Sequence, residues 1–215
     1  MNIIRKPAYC KSCFAEIRLA PCREMIENNP LLCDKCISKI NTKLEVRKIF
    51  DTEILFLSDY DGLMKTWLMN YKEFGDIELA PCFLYLFKPF LRVFFPGYTY
   101  VPCPSSDKRI QKRGFDHLSE MLKSSSLPYE QILCQKSVIE QKNEKGTERF
   151  KDKGIVLKEG IYDLSEKKIV LFDDVFTTGS TFYQSLMQIR KHRPKRIKGV
   201  IIMDNQKTEE RKIKI

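Results

Sequence analysis

The pattern of apolar and polar positions changes character near residues 44–51. The preceding part is rich in cysteine and closes with a stretch of helical character, Lys35 to Arg47. From Ile54 onward strand-like and helix-like segments alternate, which is typical of an α/β domain with a mostly parallel sheet. The sequence therefore predicts a small module over residues 1–48 and an α/β domain over residues 49–215.

The spacing of apolar residues predicts the elements of the α/β domain. Leu63, Trp67, Leu68 and Tyr71 recur at the intervals of one helix face. Residues 135–153 are polar and poorly periodic, which predicts a loop. The predicted strands cover 97–102, 168–175 and 197–203. The predicted helices cover 61–71, 77–91 (broken by Pro81 and Pro89) and 116–123, and a further helix follows the strand 168–175 and ends at about residue 192.

Composition and charge narrow the class of protein. The 215 residues are 43% hydrophobic and 31% charged, which excludes a chain that stays disordered by composition. The most apolar stretch, Phe83 to Phe95, is interrupted by Lys88, Pro89 and Arg92, so no bilayer span is predicted, and the first 11 residues lack an apolar signal core. We therefore expect a cytoplasmic protein. Its net charge of +10 favours contact with polyanions, of which nucleic acid is the commonest in cells.

Five of the eight cysteines lie within the first 36 residues. Four of them form two C-x2-C pairs, Cys10 with Cys13 and Cys33 with Cys36, and this spacing is typical of a four-cysteine zinc site. Four protein ligands leave no open position for a substrate, so we expect Zn²⁺ to be structural. Cys22 has no assigned role. A zinc ribbon used to dock a protein partner is the alternative to a purely structural module.

The most informative stretch of the sequence is Asp173 to Thr181, which follows the apolar segment that begins at Ile169. Asp173 and Asp174 stand at the carboxyl end of this predicted strand, where α/β sheets place their ligand sites. Thr177, Thr178, Gly179, Ser180 and Thr181 then open a helix, and backbone N–H groups and hydroxyls in such a loop bind phosphate. The alternative is that these residues only form a turn and a helix cap.

Two basic runs suggest a second ligand class. Residues 190–198 contain six Lys or Arg and no acid, and residues 108–113 add four more. Such groups can track a phosphodiester backbone, and they can equally form a solvated helix end that complements the helix dipole. The predicted nucleic-acid contacts are Arg190, Lys191, Arg193, Lys195, Arg196 and Lys198.

The Asp173 to Thr181 run resembles the signature of type I phosphoribosyltransferases. This run is preceded along the chain by the two cysteine pairs, Tyr71 to Ala80, Val101 to Pro104 and the Arg113-Gly-Phe motif. The order of these motifs resembles that of ComF-type competence proteins over nearly the whole chain. This resemblance implies a Rossmann-like phosphoribosyltransferase fold behind a zinc ribbon. It also implies a role in natural transformation, in which single-stranded DNA enters the cytoplasm with the help of an ATP-driven translocase.

The resemblance assigns roles to individual residues. Asp173 and Asp174 look like the catalytic contacts to ribose and Mg²⁺, and residues 177–181 look like the loop for the 5′-phosphate of phosphoribosyl pyrophosphate (PRPP). Ser105, Ser106, Lys108, Arg109 and Arg113 fall in the connection that faces pyrophosphate, and Gln141 and Arg149 fall in the family's flexible loop. Lys72 and Gly75 match a family motif, although a helix end with a basic residue and a glycine stop explains them as well.

Asp116 and His117 depart from the family, which commonly has Asn-Gln after Arg-Gly-Phe. The usual Arg and Thr are also missing around Cys134 and Ser137. No general base is identified, because isolated histidines more often serve structure than catalysis. We therefore expect a PRPP- and Mg²⁺-binding protein that contacts single-stranded DNA. The alternative is an active transferase that moves ribose 5-phosphate from PRPP to an unknown acceptor.

Overall fold

A computed structural model of the chain describes residues 8–18, 30–135, 154–160 and 163–206. The helices are α1 Asp34–Ile37, α2 Gly62–Glu73, α3 Ala80–Leu84, α4 Lys88–Phe94, α5 Asp107–Arg113, α6 His117–Ser125 and α7 Ser180–Lys191, with a 3-10 turn at Ile77–Leu79. The strands are β1 Thr42–Ile49, β2 Thr52–Asp59, β3 Tyr98–Pro102, β4 Leu133–Gln135, β5 Ile155–Leu157, β6 Lys168–Phe176 and β7 Arg196–Asp204.

Five strands form one twisted sheet in the order β1-β2-β7-β6-β3. Strands β2, β7, β6 and β3 are parallel, and β1 runs antiparallel at the edge beside β2. The central strands β6 and β7 are buried along most of their length, as expected for parallel strands that are covered on both faces. The fold class predicted from the sequence, an α/β domain with a mostly parallel sheet, is confirmed.

Strand β1 corrects the helix predicted over residues 35–47. Helix α1 ends at Ile37, and β1 then alternates between exposed and half-buried positions with a period of two. Phe50 and Asp51 both have positive φ and join β1 to β2, as in a two-residue turn of the primed type. The predicted boundary at residue 48 falls inside β1, so the large sheet begins at Thr42. The division into two domains stays a prediction.

The cysteine-rich segment packs against the α/β core and shares its hydrophobic cluster. Cys10, Leu32 and Cys36 are at most 5% exposed and belong to the same cluster as the sheet residues. The indole Nε1 of Trp67 donates a hydrogen bond to Ser12 Oγ at 2.9 Å, which ties α2 to the first cysteine pair. Folding of the module is therefore coupled to folding of the sheet.

Helix α7 lies directly against the central strands. Phe182 is buried, and a Cβ atom built on Gly199 would lie 2.6 Å from its ring, so only glycine lets α7 approach β7 this closely. Because β3, β6 and β7 are parallel, their carboxyl ends meet at one edge of the sheet, and the connections to α5 and α7 start there. No helix in the described ranges is long and apolar enough to cross a membrane.

Candidate functional site

A polar cavity of about 240 Å³ opens at the carboxyl ends of β3 and β6. Six of the candidate residues from the sequence line it, namely Ser105, Ser106, Arg109, Asp173, Asp174 and Thr181. A second cavity of about 330 Å³ shares Ser105 and Arg109 and adds Arg113. Acidic groups from β6 and the basic Arg109 from α5 therefore line the same cavity. Lys72 and His117, which the sequence left without a functional role, line both cavities.

Asp174 is 5% exposed and is held by two basic side chains. His117 Nε2 lies 2.9 Å from its Oδ2, and Lys72 Nζ forms an ion pair with the same oxygen. Burial alone would raise the pKa of this carboxyl, but the charge of Lys72, together with the contact from His117, outweighs burial and holds the pKa well below its usual range. Asp174 is therefore an ionised, buried carboxylate that is compensated within the chain.

His117 joins Asp174 to the cavity wall. Its Nδ1 lies 3.1 Å from Ser105 Oγ, and the hydroxyl of Tyr71 donates to its backbone carbonyl at 2.8 Å, which fixes the start of α6 against α2. Burial lowers the pKa of His117, an effect that Asp174 opposes in part. A neutral ring protonated at Nε2 would present that N–H to the carboxylate of Asp174, which only accepts hydrogen bonds, and would leave Nδ1 to accept one from Ser105.

Asp173 is half-buried and lines the cavity with its neighbours from α5. Its Oδ1 accepts a hydrogen bond from the backbone N–H of Asp174 at 3.0 Å. A carboxylate in a polar cavity is a suitable ligand for Mg²⁺, a hard cation that binds oxygen. Asp173 fits this role better than Asp174, whose charge Lys72 already compensates and whose Oδ2 also contacts His117.

The loop from Thr177 to Thr181 makes the sharp turn predicted from its glycine. Gly179 has φ of +71°, and a Cβ atom there would lie 2.5 Å from the ring of Phe176. The backbone N–H of Ser180 donates to Thr178 Oγ1 at 3.3 Å, and α7 begins at Ser180. Only Thr181 of this loop lines the cavity, while Thr177, Thr178 and Ser180 are exposed to solvent. The phosphate-binding role of the loop stays a prediction.

Helix α5, which the sequence analysis treated as a connection, places Arg109 and Arg113 one turn apart. Arg113 Nε donates to the carbonyl of Lys72 at 3.1 Å, which orients the guanidinium toward the second cavity. Nη1 of Arg113 is buried and makes no hydrogen bond within the described part of the chain. A buried guanidinium nitrogen with unused hydrogen-bonding capacity at a cavity wall favours an anionic ligand.

The four cysteines of the two C-x2-C pairs meet at one point. Their sulfur atoms all lie within 4.8 Å of one another, and Cys13 Sγ is 3.7 Å from Cys33 Sγ. Tetrahedral Zn²⁺ with Zn–S bonds of about 2.3 Å separates its sulfurs by about 3.8 Å, so the cluster fits zinc. Without a metal, burial raises the pKa of Cys36 to about 12, and a bound cation would supply the charge that keeps four thiolates together.

The basic run of residues 190–198 is not one surface. Arg190 donates to the carbonyl of Phe50 at 2.8 Å and so braces the β1–β2 turn, and Lys195 pairs with Glu166 at 3.4 Å. Lys191 bonds Gln188 within α7, and Arg193 is exposed. Arg196 and Lys198 instead line a groove of about 510 Å³.

That groove lies at the amino ends of the parallel strands, at the opposite end of the sheet from Asp173. Lys168 pairs in register with Arg196, and Tyr98 pairs with Lys168, so all three strands contribute their first residues. Phe94, which is 51% exposed, adds an aromatic surface. Lys198 is paired with Glu53.

Cys22, Gln141, Arg149 and nearly all of the predicted loop 135–153 lie outside the described residues.

Comparisons with curated proteins find sequence similarity to two competence proteins. No protein-family model matches it. Competence protein ComFC of Bacillus subtilis (strain 168) is 29% identical over 131 residues, which cover 58% of this chain and 52% of that protein. Competence protein ComFC of Streptococcus pneumoniae is 26% identical over 156 residues, 69% of this chain and 70% of that protein. The chain is therefore similar to these two ComFC proteins. The resemblance inferred from its motifs is thus confirmed, although the match spans only about half the length of the B. subtilis protein.

The solved structures found to be similar to this chain include phosphoribosyltransferases. A hypoxanthine-guanine phosphoribosyltransferase from Bacillus anthracis is 13% identical, with a TM-score of 0.37 over 61% of this chain and 72% of that chain. A hypoxanthine phosphoribosyltransferase from Staphylococcus aureus is 11% identical, with a TM-score of 0.38 over 60% and 64%. The enzyme from L. donovani is 16% identical, with a TM-score of 0.36 over 63% and 71%.

Proposed function

We propose that the cavity at the carboxyl ends of β3 and β6 binds PRPP, and that the protein acts in natural transformation, in the uptake of single-stranded DNA. The observation that carries the first part is the meeting of Asp173 with Arg109 and Arg113 around adjoining cavities. A sugar diphosphate needs both chemistries, because carboxylates accept hydrogen bonds from hydroxyls and guanidinium groups bind phosphate oxygens. The second part is supported by the similarity to two proteins named for competence.

Each wall of the cavity would bind one part of the ligand. Asp173 would accept hydrogen bonds from ribose hydroxyls, and Thr181 with the loop before it would bind the 5′-phosphate. Ser105, Arg109 and Arg113 would bind the diphosphate. Asp173 would also hold Mg²⁺, which supplies positive charge to the diphosphate when it is bound.

Thermal stabilisation by PRPP tests this site. With Mg²⁺ and ligand at about 100 times its dissociation constant, binding adds about 2.7 kcal/mol, which for a chain of this size raises Tm by roughly 5–10 °C. Asp173→Asn is expected to abolish the rise, because the amide loses the charge that holds Mg²⁺ and accepts fewer hydroxyl hydrogen bonds. Glu166→Gln, at an exposed carboxylate on the surface, is the matched control and should keep the full rise. No change in Tm at millimolar PRPP would contradict the proposal.

We further propose that the protein contacts single-stranded DNA in the groove that Lys168 and Arg196 line beside Phe94 and Tyr98. Proteins that bind single strands combine cations that follow the backbone with aromatic rings on which bases stack. This groove supplies both, whereas Arg190 and Lys195 are engaged within the chain. An ATP-driven DNA translocase is the proposed partner in the same process.

Charge reversal in the groove should weaken binding of a fluorescent single-stranded oligonucleotide. We expect Lys168→Glu with Arg196→Glu to reduce affinity at least about tenfold at low salt, and to reduce the slope of log affinity against log salt by about 1.4, since each phosphate contact contributes about 0.7. The control pair is Arg193→Glu with Lys195→Glu, which removes equal charge outside the groove. Equal weakening by both pairs would show that general charge, rather than the groove, attracts DNA.

A further inference from the structure

A serine, a histidine and an aspartate lie in succession at the cavity wall. Ser105 Oγ lies 3.1 Å from His117 Nδ1, and His117 Nε2 lies 2.9 Å from Asp174 Oδ2. This is the order of a nucleophile, a general base and a group that orients the base, which is recognised by geometry on unrelated folds. The three residues come from the β3–α5 connection, the start of α6 and the end of β6.

The environment of the imidazole suits a base. His117 is 6% exposed, with Nε2 facing Asp174 and Nδ1 facing Ser105, so a ring protonated at Nε2 would accept the Ser105 proton at Nδ1. Asp174 and Asp116, whose Oδ1 is 3.7 Å from Nδ1, would stabilise the imidazolium once it forms. Lys72 and Arg113 face the same ring and oppose its charging, and Lys72 keeps Asp174 ionised.

Ser105 is accessible to a small molecule. It is half-buried and lines both the 240 Å³ and the 330 Å³ cavity, and Arg109 accompanies it in both. The adjacent Ser106 lines only the smaller cavity, and its hydroxyl shows no contact with His117 among the described residues. The two serines therefore share a location but differ in access to a base.

We propose that Ser105 is a nucleophile for acyl transfer from small anionic carboxylic esters. Ser105 Oγ forms a bond to the carbonyl carbon while its proton passes to His117 Nδ1. The C–O bond to the leaving alcohol then breaks, and the alkoxide takes that proton. Water hydrolyses the acyl-serine by the same route, with His117 accepting the proton of water and returning it to Ser105. Nothing beyond the ester and water is consumed.

The charge around the cavities selects the substrate class. Lys112 is paired with Glu73 at 3.6 Å and Lys72 with Asp174, which leaves the guanidinium groups of Arg109 and Arg113 to attract a negative charge on the substrate. The combined space suits a small molecule. This reaction goes beyond the proposed binding of PRPP and does not depend on it.

A fluorophosphonate probe tests the proposal, because it reacts with activated serine through an Oγ–P bond with loss of fluoride. We expect one adduct per chain by intact mass, located at Ser105 by peptide mapping, and turnover of 4-nitrophenyl succinate with release of nitrophenolate. Ser105→Ala should abolish both. His117→Gln, which restores the residue common in ComF-type proteins, should slow labelling about 100-fold or more, since a general base contributes roughly 10²–10⁴ in rate.

Ser124→Ala, at an exposed serine of α6 that lines neither cavity, is the control and should label at the rate of the unmodified protein. Thermal melts of all three variants establish that they are folded, and His117→Gln keeps the test decisive if Ser105→Ala does not fold. The proposal is overturned if no adduct forms, if the adduct persists in Ser105→Ala, or if His117→Gln labels as fast as the unmodified protein. The labelling is measured without PRPP, so its outcome is independent of that ligand.

Discussion

Cys36→Ser is expected to release the bound metal and to lower the Tm of the whole chain by more than about 10 °C. Structural zinc contributes about 10–16 kcal/mol of binding free energy in zinc-finger peptides, and that energy is also folding energy. Here the effect extends to the sheet, because Cys10, Leu32 and Cys36 belong to the hydrophobic cluster of the α/β core. The measurements are zinc per chain by elemental analysis and Tm with and without a chelator. The unmodified protein should hold one zinc ion and lose stability on chelation.

The control for this prediction is Cys134→Ser. Cys134 is a half-buried thiol on β4, outside the four-cysteine cluster, and its replacement should leave the zinc content unchanged. Because serine is close in size to cysteine, the comparison isolates the loss of a thiolate ligand. Equal zinc content in Cys36→Ser and the unmodified protein would show that the cluster does not hold the metal.

The central strands were predictable because their signal is local. The apolar run before Asp173 is long enough to be buried on both faces, and Gly179 marks the turn into α7. Strand β1 was missed because its turn carries no sequence signal, since Phe50 and Asp51 adopt positive φ where Asn-Gly would be usual. Arg190 supplies the missing explanation by bonding the carbonyl of Phe50 across 140 positions of sequence.

The candidate site was predictable only in part. Asp173 and Asp174 follow their strand directly, so their place at the edge of the sheet follows from the pattern. The ion pair between Lys72 and Asp174 joins residues 102 positions apart, and nothing local in the sequence indicates it. Lys72 at the end of α2 looked like a helix cap, and His117 looked like a departure from the family. Both residues contact Asp174, which gives each of them a structural role. These contacts are also the reason that the chain tolerates a buried carboxylate at this position.

Lys72→Met is expected to lower the free energy of unfolding by about 3–5 kcal/mol at pH 7. Breaking a buried ion pair leaves one charge uncompensated, and the cost of that charge exceeds the value of the pair itself. Asp174 is 5% exposed, and of its two basic partners among the described residues the variant keeps His117. The measurement is urea denaturation of both proteins at pH 7 and near pH 3, with the native fold followed by circular dichroism.

The pH dependence separates this effect from a loss of packing. In the unmodified protein the pKa of Asp174 lies below its unfolded value, so its contribution to stability is present above about pH 4 and is lost as the pH falls further. In Lys72→Met the pKa of Asp174 should rise, so that the two proteins differ less at pH 3 than at pH 7. Lys112→Met, which breaks an exposed pair with Glu73, is the control and should cost at most about 1 kcal/mol. A difference between Lys72→Met and the unmodified protein that stays constant with pH would assign the loss to the methylene stem of Lys72 rather than to its charge.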